Sequence, residues 1–169
     1  DICKCLDALV AGAKEQKPDI AVIAGDIFHQ ARVWSDRGLK EQQTAVRFLR
    51  ELERICPVVV MRGTPNHDSE EQFKTLDSTF YGITEPDVGT YHSYDGKAVQ
   101  IACLPGFDRG FYRAKHPGLS KEEENEVFTQ SIADLIVGLK AQCDAGSPTV
   151  LVSHYTITGC NMESGQTAF

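Results

Sequence analysis

The hydrophobic pattern of residues 2–61 alternates between helical spacing and short continuous apolar runs. Helical spacing over residues 2–16 predicts an amphipathic helix, and the apolar run at 19–24 predicts a strand covered on both faces. A second helix and a second buried strand, at 58–61, follow in the same order. The second helix is predicted to direct these side chains inward: Leu39, Val46, Leu49, Leu52 and Ile55. Helices that alternate with strands over short connections indicate parallel strands joined by crossover helices.

The pattern changes after a short helix that is predicted at 69–76 and anchored by Phe73 and Leu76. Two strand-like segments, 90–94 and 98–104, flank the dipeptide Asp95-Gly96, and this arrangement predicts a β-hairpin.

The last third of the chain begins with an aromatic and basic segment, residues 107–119, which is predicted to be an irregular loop. Ser120 and Glu123 have capping-box spacing, so a long helix is expected to begin there. Residues 149–154 predict a last buried strand, and residues 155–169 show no periodicity. Together the elements predict a layered α/β fold with buried, mainly parallel strands, a β-hairpin and flanking helices.

Composition narrows the class of protein. A chain of 169 residues, 41% hydrophobic and 24% charged, is long and apolar enough for one folded domain. Its net charge of −7 argues against non-specific binding of nucleic acid through a broad basic face. No apolar run approaches the roughly 20 residues needed to cross a membrane, so no membrane partner is expected. The six cysteines include no Cys-x-x-Cys pair, which favours reduced thiols in a cytoplasmic protein.

Polar side chains follow three of the predicted buried strands. Asp26 follows the first, Asn66-His67-Asp68 follows the second, and His154 ends the last. The carboxyl ends of strands in open α/β sheets converge on one crevice, so these residues are expected to meet. Carboxylate, amide and imidazole ligands suit manganese, iron or zinc, and the absence of thiolates disfavours a structural zinc site.

Each of these residues also has a purely structural interpretation. Gly25-Asp26 alone is compatible with a simple turn, and His29 with a packing or capping role. His154 at a strand end is as compatible with a satisfied structural histidine as with a ligand. His92 and His116 are assigned to surface or loop positions. The joint occurrence of polar residues at three strand ends favours the functional interpretation.

Three segments carry a specific resemblance to a known family. Gly25-Asp26-Ile27-Phe28-His29, Gly63 to Asp68, and Ser153-His154 resemble motifs of the calcineurin-like metallophosphoesterases. The closer similarity is to the branch of SbcD-like DNA-repair exonucleases. That branch shares the Gly-Asp-x-Phe-His form, the Tyr-x-x-x-Asp-Gly hairpin ending in Leu-Pro, and Leu-Val-Ser-His followed by Thr-x-x-Gly. The resemblance extends over nearly the whole chain.

The chain departs from the family pattern in two ways. Thr64-Pro65 is inserted into the usual Gly-Asn-His-Asp motif, where Pro65 is expected to stiffen the turn and shift Asn66. The family's first Asp-x-His and last Gly-His-x-His motifs are absent. We therefore interpret residues 1–169 as a single metallophosphoesterase (nuclease) domain that lacks its first strand and its C-terminal part.

The resemblance implies a role for each candidate residue. Asp26 would bridge two divalent metal ions, preferably manganese with iron, zinc or magnesium as alternatives, and Asn66 and His154 would complete the shell of one ion. His67 would act as general acid or stabilise the leaving oxygen, with Asp68 orienting its ring. His29 would contact the scissile phosphate or the water bound to the metal. The implied partners are DNA and an SbcC-like coiled-coil ATPase, and the nuclease domain of this family commonly dimerises.

Two further hypotheses remain open at this point. The chain is also compatible with a metallophosphoesterase for a non-DNA phosphoester, or with a truncated, inactive binding domain. For DNA, Arg62, Arg109, Arg113 and Lys115 are candidate phosphate contacts, with Phe107, Phe111 and Tyr112 among them as stacking surfaces. The alternative is that this segment packs its own aromatic side chains.

Overall fold

The structure, a computed structural model, describes residues 2–31, 36–76 and 80–155. Within these ranges no helix is both long and apolar enough to span a membrane. In chain order the elements are α1 (Ile2–Gln16), β1 (Ala21–Ile23), α2 (Asp36–Glu53), β2 (Val58–Met61), α3 (Glu70–Leu76), β3 (Tyr81–Ile83), β4 (Asp87–His92), β5 (Ala98–Leu104), α4 (Arg109–Lys115), α5 (Lys121–Gln142) and β6 (Thr149–Ser153).

The described strands form two three-stranded sheets. The first has the order β1-β2-β3 and is entirely parallel. The second has the order β4-β5-β6, in which β4 and β5 are antiparallel and β5 and β6 are parallel. The prediction of a layered α/β fold with mainly parallel strands, a hairpin and flanking helices is therefore confirmed.

Strand β2 lies at the centre of the molecule, and all four of its residues are buried. Val58 and Val60 face a cluster formed with α1, α2 and α3, whereas Val59 and Met61 face a cluster formed with the second sheet. Because successive side chains of a strand point to opposite faces, a strand between two covered faces has to be apolar throughout. Each of these burials contributes on the order of 1.5–3 kcal/mol.

Helix α5 covers the outer face of the second sheet. Leu139 of the helix packs with Ala102 and Leu104 of β5 in a third cluster. The capping box predicted at its start is present, since the Ser120 side chain accepts from the Glu123 amide and the Glu123 side chain accepts from the Ser120 amide. The layer order is thus helices, sheet, sheet, helix.

Several predicted elements need correction. The segment 107–119 is not an irregular loop throughout, because it contains α4, whose N-cap Asp108 accepts from the amides of Gly110 and Phe111. Strand β3 was missed because it has only three residues, one of them Gly82. Leu39 does not face inward, since it is 52% exposed.

Strands β1 and β6 also differ from their predictions. β1 has three residues, which are half-buried, instead of the six predicted. β6 was expected to be buried, but its first three residues are exposed because it lies at the edge of its sheet. Both strands nevertheless lead directly into candidate site residues, Asp26 and His154.

Candidate metal centre

The chain turns sharply between β1 and Asp26. Gly25 has φ +93°, and Asp26 has φ +51°, a left-handed conformation that L side chains adopt rarely. Such a conformation costs on the order of 1–3 kcal/mol, so it persists only where surrounding contacts fix it. The turn directs the Asp26 carboxylate toward the loop that follows β2.

Glycine at positions 25 and 63 permits the loop after β1 to touch the loop after β2. A Cβ added to Gly25 would lie 2.5 Å from the Gly63 Cα and 2.8 Å from the His154 Nδ1. A Cβ added to Gly63 would overlap the backbone nitrogen and Oδ1 of Asp26. The close approach of these loops therefore depends on the absence of both side chains.

The Asp26 carboxylate is held by one residue of the second loop. Its Oδ1 accepts hydrogen bonds from the Thr64 amide at 2.8 Å and from the Thr64 hydroxyl at 3.0 Å. Burial raises the pKa of Asp26, but these two hydrogen bonds, with smaller effects of His154 and His67, leave that pKa below its ordinary value of 3.8. The carboxylate is therefore ionised at neutral pH.

His154 reaches the same carboxylate from the second sheet. Its Nδ1 lies 2.8 Å from the carbonyl oxygen of Ala24, which can only accept, so Nδ1 carries the hydrogen. Its Nε2 lies 3.1 Å from Asp26 Oδ1. The backbone of His154 is fixed as well, since its amide donates to the Leu104 carbonyl.

The donor chemistry of this pair fits a shared cation. With the hydrogen on Nδ1, the Nε2 of a neutral ring carries a lone pair and faces a carboxylate oxygen that also carries lone pairs. Two acceptors 3.1 Å apart require a proton or a cation between them. A divalent ion bound at the roughly 2.0–2.2 Å typical of imidazole nitrogen and carboxylate oxygen fits that separation.

The rest of a metal shell is less complete. Among the described residues, no group of three or more His, Cys, Asp or Glu side chains is arranged to hold a metal ion. Asn66 lies on an exposed turn, where its carbonyl accepts from the Ala31 amide, and within the described ranges its side chain has no hydrogen bond to Asp26 or His154. Its role as a ligand therefore stays a prediction. The described residues therefore supply two candidate ligands, Asp26 and His154, for one ion.

His67 lies close to this pair but is anchored separately. Its Nδ1 lies 3.1 Å from the Phe28 carbonyl oxygen, so Nδ1 carries the hydrogen and Nε2 is the end of the ring left for chemistry. The ring meets that of the exposed His29 edge to face, with centroids 6.4 Å apart. The two histidines predicted to act on the substrate are therefore neighbours.

Asp68 does not orient the His67 ring, contrary to the prediction. Its side chain is fully buried, and its Oδ1 accepts from the amides of Ile27 and Phe28 at 2.9 and 3.2 Å. Its Oδ2 accepts from the Gly63 amide at 2.8 Å. Both oxygens are thus committed to backbone amides, and the Phe28 carbonyl takes the orienting role. Asp68 ties the loop after β1 to the loop after β2.

A cavity of about 810 Å³ opens beside these groups. Asp26, His29 and His67 contribute its polar residues at this end, whereas most of its wall is apolar. The apolar lining comes from α1, β1 and α2 and includes Ile2, Leu6, Ile23, Ala45, Phe48 and Leu49. The volume lies in the range of known small-molecule pockets.

Three of the four basic residues considered as phosphate contacts make contacts of their own. The Arg113 guanidinium pairs with the buried Glu124 through two hydrogen bonds, at 2.6 and 3.1 Å. Arg109 lies 4.6 Å above the Phe128 ring, and Lys115 lies 4.4 Å above the Phe111 ring. These contacts favour the alternative that the segment packs its own aromatic side chains.

The remaining histidines keep the positions assigned to them. His92 is exposed at the end of β4, and His116 is exposed beyond α4, where its ring lies 4.5 Å from that of Tyr112. The Thr-x-x-Gly part of the family resemblance begins at residue 156 and lies outside the described residues.

Two features of the site escaped prediction from sequence. Thr64 is the residue that holds Asp26, and the carbonyls of Ala24 and Phe28 orient the two histidine rings. The signal for Thr64 was present, since a hydroxyl residue stands inside an otherwise recognisable ligand motif. Carbonyl partners leave no trace in the side-chain sequence, so only the fold reveals them.

Comparison with known families supports the resemblance to the calcineurin-like phosphoesterases. The sequence model of the calcineurin-like phosphoesterases matches residues 1–169, which is the whole chain. Members of this family hydrolyse phosphoesters with the help of divalent metal ions. The motifs after β1, β2 and β6, the pair formed by Asp26 and His154, and the match over the full length lead to one conclusion: this chain belongs to the family of calcineurin-like phosphoesterases.

Proposed function

We propose that this chain is the nuclease domain of an SbcD-like enzyme that hydrolyses DNA phosphodiester bonds. The observation that carries the proposal is the 3.1 Å approach of His154 Nε2 to Asp26 Oδ1, with the histidine fixed through its other nitrogen. The preference for DNA rests on the sequence resemblance, in which the Gly-Asp-x-Phe-His segment, the hairpin and the Leu-Val-Ser-His strand all match that branch.

The metal ligands of the proposed site are Asp26 and His154, with Asn66 as a third. Two ions, preferably manganese, with iron, zinc or magnesium as alternatives, would complete the site. Bound divalent ions polarise a phosphoryl oxygen and lower the pKa of a coordinated water.

The side chains of this chain would bind the phosphodiester and move a proton. His29 and His67 face the polar end of the cavity, where His29 would bind a phosphate oxygen. His67, held through Nδ1 by the Phe28 carbonyl, would act in its doubly protonated form and donate the proton on Nε2 to the leaving oxygen. Asp68 would contribute indirectly, because it holds the backbone that carries both histidines.

The partners proposed from the resemblance are DNA, an SbcC-like coiled-coil ATPase and a second copy of the same domain. No membrane partner is proposed. Among the described cysteines, Cys5, Cys56, Cys103 and Cys143 are free thiols, which fits a reducing compartment such as the cytoplasm.

A second candidate is a phosphoesterase with a non-DNA substrate. The net charge of −7 and the pairing of Arg113 with Glu124 favour it, because they leave less positive charge for a DNA backbone. The cavity beside His29 and His67 would then accept an apolar group of a smaller phosphoester.

An assay panel separates the two candidates. Linear double-stranded DNA, bis(p-nitrophenyl) phosphate and p-nitrophenyl phosphate are incubated with the protein and Mn²⁺. The proposed function predicts release of nucleotides from DNA, and activity confined to the nitrophenyl substrates would favour the second candidate.

Within the same panel, His67→Ala is expected to lower turnover by roughly 10²–10⁴-fold, since it removes the proposed general acid. Divalent-ion binding should be retained, because His67 is not a proposed ligand. His92→Ala, on the exposed end of β4, is the matched control and should behave like the native protein. A large loss of bound metal in His67→Ala would contradict the assignment.

Binding of DNA can be tested separately from hydrolysis. Replacement of Arg109, Arg113 and Lys115 by glutamine together should weaken salt-sensitive binding to linear DNA if α4 contributes phosphate contacts. Unchanged affinity would exclude this helix from the DNA interface and agree with its internal contacts.

A further inference from the structure

Thr64 is the residue through which the loop after β2 holds the metal-binding carboxylate. Both of its donors, the amide and the hydroxyl, point at the same oxygen, Asp26 Oδ1. That oxygen is also the one that lies 3.1 Å from His154 Nε2. Thr64 therefore contacts the candidate ligand pair at the point where the two side chains meet.

The carbonyl oxygen of Thr64 makes hydrogen bonds within the loop that follows β2. It accepts hydrogen bonds from the amides of His67 and Asp68 at 3.0 and 2.8 Å, which closes the turn that carries Asn66. Pro65 fixes φ at the second position of this turn, a position that proline favours. One residue thus links Asp26 to the turn that presents His67.

The amide and the hydroxyl of Thr64 differ in whether they require a particular side chain at this position. The amide is fixed by the closed turn and would be present with any residue except proline. The hydroxyl exists only because the side chain is threonine or serine. Asp26 has a strained backbone at φ +51°, so its carboxylate orientation depends on contacts of this kind.

We propose that Thr64 is a positioning residue for the metal site, whose hydroxyl holds Asp26 Oδ1 in place opposite His154 before an ion binds. It acts through Asp26 and touches neither the ion nor the substrate. The inference rests on the proposed function, since it assumes that Asp26 and His154 bind a divalent ion. Hydrogen bonds to ligating carboxylates typically change metal affinity by 10–100-fold when they are removed.

The test compares Mn²⁺ binding to the full chain and to two variants. Thr64→Val keeps the shape and the amide but removes the hydroxyl, whereas Thr64→Ser keeps the hydroxyl and removes only the methyl group. Free Mn²⁺ is measured by electron paramagnetic resonance during titration, and circular dichroism confirms that each variant is folded. Thr64→Val should bind Mn²⁺ at least about tenfold more weakly, and Thr64→Ser should stay within about twofold of the native protein.

The outcomes distinguish this inference from the proposed function. Equal affinity of Thr64→Val and the native protein would overturn the role of Thr64 while leaving the metal site intact. An equal loss in Thr64→Ser and Thr64→Val would also overturn it, because Thr64→Ser retains the hydroxyl to which the role is assigned. Absence of Mn²⁺ binding by the native protein would overturn both the inference and the proposed metal site.

Discussion

Asp26 combines a strained backbone with a carboxylate that is fixed from two directions. Thr64, in the loop after β2, donates to its Oδ1, and His154 approaches the same atom from the second sheet. The free-energy cost of the left-handed backbone at Asp26 is offset only if the loops after β1 and β2 stay in contact. The glycines at 25 and 63 make that contact sterically feasible.

Replacement of Gly25 by alanine tests this contact. The new Cβ would meet the Gly63 Cα at 2.5 Å and would also impose the strain of φ +93°. Gly96→Ala is the matched control, because Gly96 has φ +87° and nothing lies within 4 Å of an added Cβ. Urea unfolding should show a loss of free energy at least ~2 kcal/mol larger for Gly25→Ala than for Gly96→Ala. Equal losses would show that close packing of the loops is unimportant.

Asp68 is a motif residue whose side chain connects the backbone of two loops. Its carboxylate accepts from three backbone amides, those of Ile27, Phe28 and Gly63. Asp68→Ala would leave buried donors without an acceptor, at a cost of about 3–5 kcal/mol in the free energy of unfolding.

Asp68→Asn retains one acceptor oxygen in nearly the same volume, so its loss should be clearly smaller. Urea denaturation followed by circular dichroism measures both variants. A loss below about 1 kcal/mol for Asp68→Ala would contradict the bracing role, because that role requires the three amides to depend on the carboxylate.

At the scale of elements, prediction succeeded where local signals agreed with the tertiary environment. Helix α1 has the predicted bounds, β2 is buried throughout, and the Ser120–Glu123 capping box is present at the start of α5. It failed where tertiary context decided the outcome. The exposure of β6 follows from its position at a sheet edge, which its apolar sequence does not encode.

Helix α4 shows a different limit. Its sequence, with Gly110 near the start and a mixture of aromatic and basic residues, has no helical periodicity. It is stabilised instead by the Asp108 cap and by contacts to α5, among them the pair of Arg113 with Glu124 and the stacking of Arg109 on Phe128. Such long-range partners cannot be read from local spacing.

The contact between α4 and α5 predicts that the free energy of unfolding depends on pH. The hydrogen bond from Arg113 holds the pKa of Glu124 below its ordinary value of 4.5. A carboxyl with a lowered folded-state pKa contributes stability above its unfolded-state pKa and loses it as the pH falls through the folded-state value. The free energy of unfolding should therefore decline below about pH 4.5.

Comparison of variants isolates this pair from the other acids. Arg113→Met and Glu124→Gln should each give a shallower decline between pH 5 and pH 3 than the native protein, as measured by urea unfolding at each pH. The double variant should match the single ones. An unchanged slope in Arg113→Met would show that the ion pair does not couple folding to protonation.

At the scale of the whole molecule, the site belongs to neither sheet alone. β1 and β2 supply Asp26, Thr64 and His67, whereas β6 in the second sheet supplies His154. The sequence correctly predicted that Asp26 and His154 lie close together. It placed them, however, in a crevice at the edge of one open sheet. Their proximity instead arises from two sheets that pack face to face through Val59, Met61, Ile101 and Cys103.

A crystal soaked with Mn²⁺ tests whether Asp26 and His154 bind a divalent ion together. Data collected at a wavelength near the manganese absorption edge locate the ion by its anomalous signal. We predict a peak within bonding distance, about 2.0–2.2 Å, of both an Asp26 carboxylate oxygen and His154 Nε2. A peak that appears elsewhere, or no peak beside this pair at saturating Mn²⁺, would contradict it.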